Sequence, residues 1–166
     1  SYRAWFSRGT AGGSRGRAVT GSFRTAPRDD AAARLRVAFG GDVAGQNVCR
    51  DAAEGFPIME AVRARRPDVF VGLGDMIYAD NACAPAGMYG NAQLPGAFGP
   101  ATDLAGFWAH WRYNRADPAS QRLLANTSYV GVWDDHELIN DFGPLTDVGS
   151  GPPYPPDLHL LPIGLQ

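Results

Sequence analysis

Apolar positions in this chain fall into short runs that break at glycine, and the runs predict the strands of an α/β sheet. Leu35-Arg36-Val37-Ala38-Phe39 ends at Gly40-Gly41-Asp42, Val69-Phe70-Val71-Gly72-Leu73 ends at Gly74-Asp75, and Ser128-Tyr129-Val130-Gly131-Val132-Trp133 ends at Asp134-Asp135. A short apolar run bounded by turn residues reads as a strand buried on both faces. Between the first two runs, Pro57 suits a first helical turn, and Ile58, Met59 and Val62 are expected on one inner face, with Glu60 and Arg63 outward at i,i+3. Pro67 stops that helix. A strand, helix, strand unit makes its two strands parallel, so Asp42 and Asp75 belong at one edge of the sheet. Phe107 to Tyr113 predicts an aromatic helix, and Asp117-Pro118 supplies the N-cap and first turn of another through Leu123-Leu124-Ala125.

The flanks read differently. Tyr2, Trp5 and Phe6 form one apolar segment, Thr10 to Gly16 a glycine-rich turn, and Ala18 to Arg24 an alternating, half-exposed strand. Such a hairpin is not stable alone, so residues 1–30 are expected to be the end of a preceding β-domain plus a linker. Residues 31–142 form the α/β domain and 143–166 a proline- and glycine-rich tail. Residues 79–102 lack periodicity, which fits a lid, a substrate surface or a disordered segment.

Composition narrows the function classes. The chain has 166 residues, 45% of them hydrophobic, enough for one domain with a core. Its net charge of -2 gives no reason to expect a nucleic-acid partner. All 15 basic residues are arginine, a compositional trait that marks no site. No run of 18 apolar residues occurs, so no spanning helix is expected. There is no signal-like start, and the opening residues read as the inside of a strand, so the chain is expected to begin in mid-fold. Cys49 and Cys83 lie in loops at the same sheet edge. They read either as a disulfide, which would indicate an oxidising compartment, or as two buried free thiols.

Candidate chemistry gathers at the three strand ends. Asp42 closes the first, Asp75 the second with Tyr78 three residues on, and Asp135-His136 the third. Carboxylate and phenol oxygens are hard ligands for a highly charged cation. Adjacent carboxylates repel one another unless a cation or donor network neutralises them, so Asp134-Asp135-His136-Glu137 points to function more than to packing. His110, inside the aromatic helix, reads as a packed core histidine.

These residues resemble blocks of the metallophosphatase superfamily. Gly74-Asp75-Met76-Ile77-Tyr78 is similar to its Gly-Asp-x-x-Tyr block, and Trp133-Asp134-Asp135-His136-Glu137 resembles the form found in the PhoD-like (alkaline phosphatase D) branch. Gly21 to Pro27 and Tyr113-Asn114-Arg115-Ala116-Asp117-Pro118 resemble the flanking segments of that branch, so the resemblance spans roughly residues 18 to 142. It implies a partial metallophosphatase-like sandwich in which Asp42 and Tyr78 bind one metal, Asp75 bridges two, and Asp135 binds the second. Asp134, Asn140 and Asp141 are further oxygen donors, and His136 is the acid or charge stabiliser. It implies a phosphoesterase that hydrolyses phosphate esters with a metal-activated hydroxide, using ferric iron on the tyrosine side and calcium or another divalent ion, manganese or zinc, opposite. An exported, extracellular or periplasmic, location goes with it.

Two departures stand out. That branch often has Cys where this chain has Asp42, which is nearer the purple acid phosphatase arrangement. The superfamily also completes its site with later His-bearing blocks. Here only His159 follows residue 142, in a proline-rich context that reads as surface. The expectation is therefore an N-terminal half, present either as a fragment or as one chain of a cleaved enzyme whose C-terminal segment is a second chain. The alternatives are a non-catalytic binding module, using the aromatic segment 107–113 and loop 79–102, and a calcium-stabilised structural domain.

Overall fold

The computed structural model describes residues 1–4, 16–23, 25–96 and 99–142. Strands β1 (Tyr2–Ala4) and β2 (Val19–Gly21) form an antiparallel pair. Strands β3 (Val37–Gly40), β4 (Val69–Leu73) and β5 (Ser128–Val132) form a separate parallel sheet in the order β3-β4-β5. Helix α1 (Pro57–Ala64) links β3 to β4, and helices α2 (Leu104–Arg115) and α3 (Pro118–Leu124) lie between β4 and β5. The α/β class, the parallel sheet and the hairpin are as the sequence implies. The tail with His159 and the turn at 10–15 lie outside the described residues.

Handedness explains where the core sits. Crossovers between parallel strands are right-handed, and both crossovers step the same way along the sheet, so their helices fall on one face. The core is accordingly built from Phe70 of β4, Met59 of α1 and Ala119 and Leu123 of α3, with Ala38, Tyr129, Val62 and Trp111 against it.

Two expectations need correction. The strands are not buried on both faces. Val37, Phe39, Leu73, Val130 and Val132 alternate with the core residues and are 51% to 71% exposed, because successive same-direction crossovers put the helices of the described residues on the other face. Ile58 also does not share the inner face of α1: Met59 is buried and Ile58 is 63% exposed. One residue is a 100° step around a helix, and the core selects position 59.

Side chains fix the helix starts. Asp103 caps α2 by accepting the Gly106 N–H (2.7 Å). Asp117, fully buried, accepts the Ser120 N–H (2.7 Å) at the start of α3 and the Phe56 N–H (3.2 Å) ahead of α1, with Arg50 Nε at 4.0 Å. One carboxylate thus ties two helix entries together. Asp117→Ala removes the cap and strands buried donors, so urea denaturation should find it less stable by about 3 kcal/mol. A loss below about 0.5 kcal/mol, the ordinary range of a surface change, would refute that role.

The segment after β4 is ordered by cross-links. Cys49 and Cys83 form a disulfide. Asn47 Oδ1 accepts the Ala84 N–H (2.9 Å) and Gln93 Nε2 (2.6 Å), while Asn47 Nδ2 donates to the Ala86 carbonyl (2.9 Å). The loops that follow β3 and β4 are therefore one connected unit.

Candidate metal centre

The site begins with backbone that few residues adopt. Asp42 (φ 56°) and Asp75 (φ 50°), each just beyond its strand, are both left-handed. Aspartate tolerates that region better than most residues, and such conformations concentrate at functional sites. Gly74 (φ 98°) precedes Asp75 and lies so near the third strand end that a Cβ would sit 2.6 Å from Asp134 Cβ. The two acidic loops are packed together there. Backbone hydrogen bonds join the rest: the Val43 N–H donates to the Asp75 carbonyl (2.8 Å), and the Ala79 N–H to the His136 carbonyl (2.8 Å).

Buried polar side chains lock this arrangement. Glu137 accepts the N–H groups of Asp75 (3.0 Å), Met76 (2.6 Å) and Asp134 (2.8 Å), pinning the second strand end to the third. Burial pushes its carboxyl above the usual range, opposed by these three bonds. Asn114 of α2 donates to the Val43 (3.1 Å) and Met76 (2.8 Å) carbonyls, pinning the first to the second.

Within this frame the candidate residues converge. One ligand atom each from Asp75, Asp135 and His136 lie within 4.8 Å of one another. Tyr78 Oη donates to Asp42 Oδ1 (2.9 Å) and lies 3.4 Å from Asp75 Oδ2, so Asp42 is joined to the cluster through the phenol. Asp135 accepts the N–H groups of His136 (3.0 Å) and Asp141. Asp134 and Asn140 stay exposed at the rim. The His136 ring stacks on Tyr78, with centroids 4.0 Å apart.

Asp80 is a member that sequence reasoning missed. Both its carboxylate oxygens approach His136 Nδ1 (2.9 and 3.0 Å), and it also accepts the Asn140 N–H (3.0 Å). A carboxylate only accepts, so Nδ1 carries the proton and Nε2 is the ring atom available to a ligand. Asp80 lies two residues beyond Tyr78 in the same loop. That proximity in sequence was its one signal. Glu137 was visible within its block, but nothing in the sequence revealed that it faces inward.

The electrostatics favour a cation. Burial raises the Asp75 carboxyl above its ordinary value, with Asp135 and Asp134 adding to the rise and His136 opposing it. A carboxyl raised in this way is charged at a cost above its folded value, and the cost disappears as pH falls through that value toward the unfolded one. A bound cation reverses the sign by favouring the carboxylate. The Tyr78 hydroxyl is also raised, first by burial and then by its bond to Asp42, so it remains a phenol unless a cation displaces its proton. Carboxylate and phenol oxygens are hard donors and imidazole a borderline one, and the residues present fit a metal ion.

The aromatic helix exposes one of the two tryptophans that a binding module would present. Phe107, His110 and Asn114 are buried and Trp111 packs against the core, leaving Trp108 as the exposed large aromatic of α2. His110, held by the Gly99 carbonyl at Nε2 (3.0 Å) with its pKa lowered by burial, is the packed histidine expected.

Comparison with known proteins adds to this geometry. The family model of PhoD-like phosphatases matches residues 38–153. The solved structure of PhoD is similar at a TM-score of 0.61 and 20% sequence identity, over 80% of this chain and 24% of that one. The chain thus spans about a quarter of the length of the structure it resembles. No curated protein sequence matches it.

Proposed function

Because this chain belongs to the PhoD-like phosphatase family, we propose that it supplies the carboxylate-rich part of a metal-dependent phosphoesterase site. The single observation that carries this reading is the convergence of Asp75, Asp135 and His136 from two strand ends, with Tyr78 and Asp42 adjoining. In this reading Asp42 and Tyr78 hold one cation, Asp75 is shared, and Asp135 holds a second. Ferric iron suits the phenol side, and calcium, manganese or zinc the other. Such ions, when bound, supply Lewis-acid polarisation of a phosphoryl oxygen and lower the pKa of water.

The chain's own residues do the rest. Asp80 holds the Nδ1 proton of His136 and the Tyr78 ring restrains the imidazole plane, which leaves Nε2 for the reaction; only with a second proton there would it stabilise or protonate a leaving oxygen. Glu137 and Asn114 keep the three strand ends in register, which holds the carboxylates together against their repulsion. The substrate class is a phosphate ester. These 166 residues alone are expected to bind cations weakly and turn over poorly, and adding the later histidine-bearing blocks of the family should raise both. The disulfide suits an exported protein.

The test is a cation titration read by melting temperature, with p-nitrophenyl phosphate hydrolysis alongside. Manganese should raise the melting temperature at pH 7, and the increment should shrink as pH falls toward the carboxylate range, because protons compete for Asp75. Ferric loading should add a visible charge-transfer band that Tyr78→Phe removes. Melting unchanged by every one of these cations would overturn the proposal. Stabilisation by calcium with no hydrolysis, even when the remaining ligands are supplied, would favour a structural cation site.

A further inference from the structure

We infer that the hairpin tip Met88-Tyr89, together with Val48, is the subsite that receives the organic group of the phosphate ester, and that it favours an uncharged aryl group over a small or anionic one. The inference deepens the reading above by naming the substrate class, and it rests on that reading.

The tip is shaped by its turn. Ala86 bridges Ala92, the Gly87 N–H donates to the Asn91 carbonyl (2.9 Å), and the Gly90 N–H donates to the Gly87 carbonyl (2.9 Å). Gly90 is left-handed (φ 75°). A turn closed in this way and followed by a left-handed glycine is a three-residue hairpin loop with a bulge, and Met88 and Tyr89 occupy its corner. Tyr89 is 80% exposed, more than any other large hydrophobic residue among those described, and Met88 is exposed beside it.

The hairpin is anchored from below by the loop that follows β3. The Met88 N–H donates to the Asn47 carbonyl (2.9 Å), and Asn91 Nδ2 donates to Asp51 (3.3 Å). Buried Gln93 donates to Asn47 Oδ1 (2.6 Å) and accepts the Cys49 N–H (3.0 Å). A surface held in place beforehand loses little freedom when a ligand settles on it.

The same loop reaches the metal centre. Gly45 packs so closely on the Tyr78 ring that a Cβ there would lie 2.3 Å from it. The Gln46 N–H donates to Asn81 Oδ1 (3.3 Å), and the Asn81 amide donates to Asp80 (2.8 Å). Residues 45–47 therefore run from the ring that stacks on His136 to the carbonyl that holds Met88. One groove of 480 Å³ is bordered by Asp42 and Val48 and also by Asn91 of the hairpin.

The chemistry of the rim selects the group it takes. Residues 81–102 contain no Asp, Glu, Lys, Arg or His. The charged residues bordering the groove are Asp42, Asp51 and Glu54, all carboxylates. Arg50, next in the chain to Asp51, is buried and donates to the Tyr113 (2.9 Å) and Ala116 (3.3 Å) carbonyls. An anionic organic group thus meets repulsion and no available cation. An aryl group meets a ring face, a thioether and a valine.

The test measures, by calorimetry, the binding of inert ligands to the manganese-loaded chain: inorganic phosphate, methylphosphonate, phenylphosphonate and 4-phosphonobenzoate. Phenylphosphonate should bind about tenfold more tightly than methylphosphonate, the size of one aromatic contact with its buried area. The added carboxylate of 4-phosphonobenzoate should remove most of that gain. Tyr89→Ala should cut the ratio to about twofold, with affinity for inorganic phosphate and melting temperature unchanged, since the side chain is exposed. Tyr89→Phe should keep the ratio, because the ring and not the hydroxyl makes the contact. Equal binding of the phenyl and methyl ligands, a ratio that survives Tyr89→Ala, or a 4-phosphonobenzoate that binds as tightly as phenylphosphonate would each overturn the inference. Phosphate that binds without this discrimination removes the subsite alone. A chain that binds none of the four ligands removes the phosphoesterase reading, and the subsite with it.

Discussion

Asp75→Asn is expected to abolish cation-dependent stabilisation and, wherever the chain is active, to reduce phosphate ester hydrolysis by a factor on the order of 10³. The estimate follows from losing several kcal/mol of transition-state stabilisation at a metal site, at about 1.4 kcal/mol per tenfold. Asn keeps an acceptor oxygen for the His136 N–H, its amide nitrogen can donate to the Tyr78 hydroxyl oxygen in place of the lost acceptor, and it tolerates the left-handed backbone at φ 50°. The fold should therefore survive, which makes the substitution a clean probe of charge. With a cation at 100 times its Kd, the wild-type chain should gain about 2.7 kcal/mol and the variant almost none. If the variant binds and hydrolyses like wild type, Asp75 is not a metal ligand and the proposed site is wrong.

Glu137→Ala is expected to have the largest effect on stability, about 4 kcal/mol. Its carboxylate accepts three backbone N–H groups, those of Asp75, Met76 and Asp134, at 2.6 to 3.0 Å, and the side chain is buried. Leaving buried donors without a partner costs about 1–3 kcal/mol for each group, reduced where water enters the space vacated. Glu137→Gln, which retains an acceptor oxygen, should recover part of the loss. Urea denaturation gives the stability, and a cation titration of the folded variant reads the site, which should also loosen because Gly74 and Asp134 are no longer held together. A loss below about 1 kcal/mol would mean that water satisfies these amides and that Glu137 does not organise the strand ends.

The histidine dyad shows how local sequence and assembled geometry divide the work. His136 and Asp80 are 56 positions apart, yet Asp80 alone determines which ring nitrogen faces outward. A reader of the sequence can see a histidine in an acidic block, since that block is local. The carboxylate that sets its tautomer comes from another loop, which the disulfide, the Asn47 bonds and the Ala79 N–H bond to the His136 carbonyl hold in place. Asn114 is a similar case. It looked like part of a flanking segment, and it proves to bridge two of the three strand ends.

Ile58 and the uncovered sheet face teach the opposite lesson. Both were assigned to the interior because apolar residues in short runs usually are. Hydrophobicity states that a surface wants cover; it does not state which polypeptide provides it. Among the described residues no helix lies on that face, since two crossovers in the same direction deliver helices to the other face only.

The sequence by itself determined the strands, the parallel direction of the first two and the acidic residues at the strand ends, because strand period, glycine breaks and helix stops act over a few neighbouring residues. The tertiary structure alone decided that Asp75, Asp135 and His136 meet within 4.8 Å, that Asp80 and Glu137 bond to them or to their backbone, and that Val37, Phe39, Leu73, Val130 and Val132 are exposed. Those outcomes depend on crossover handedness and on hydrogen bonds between residues some 60 positions apart, for which no local pattern codes.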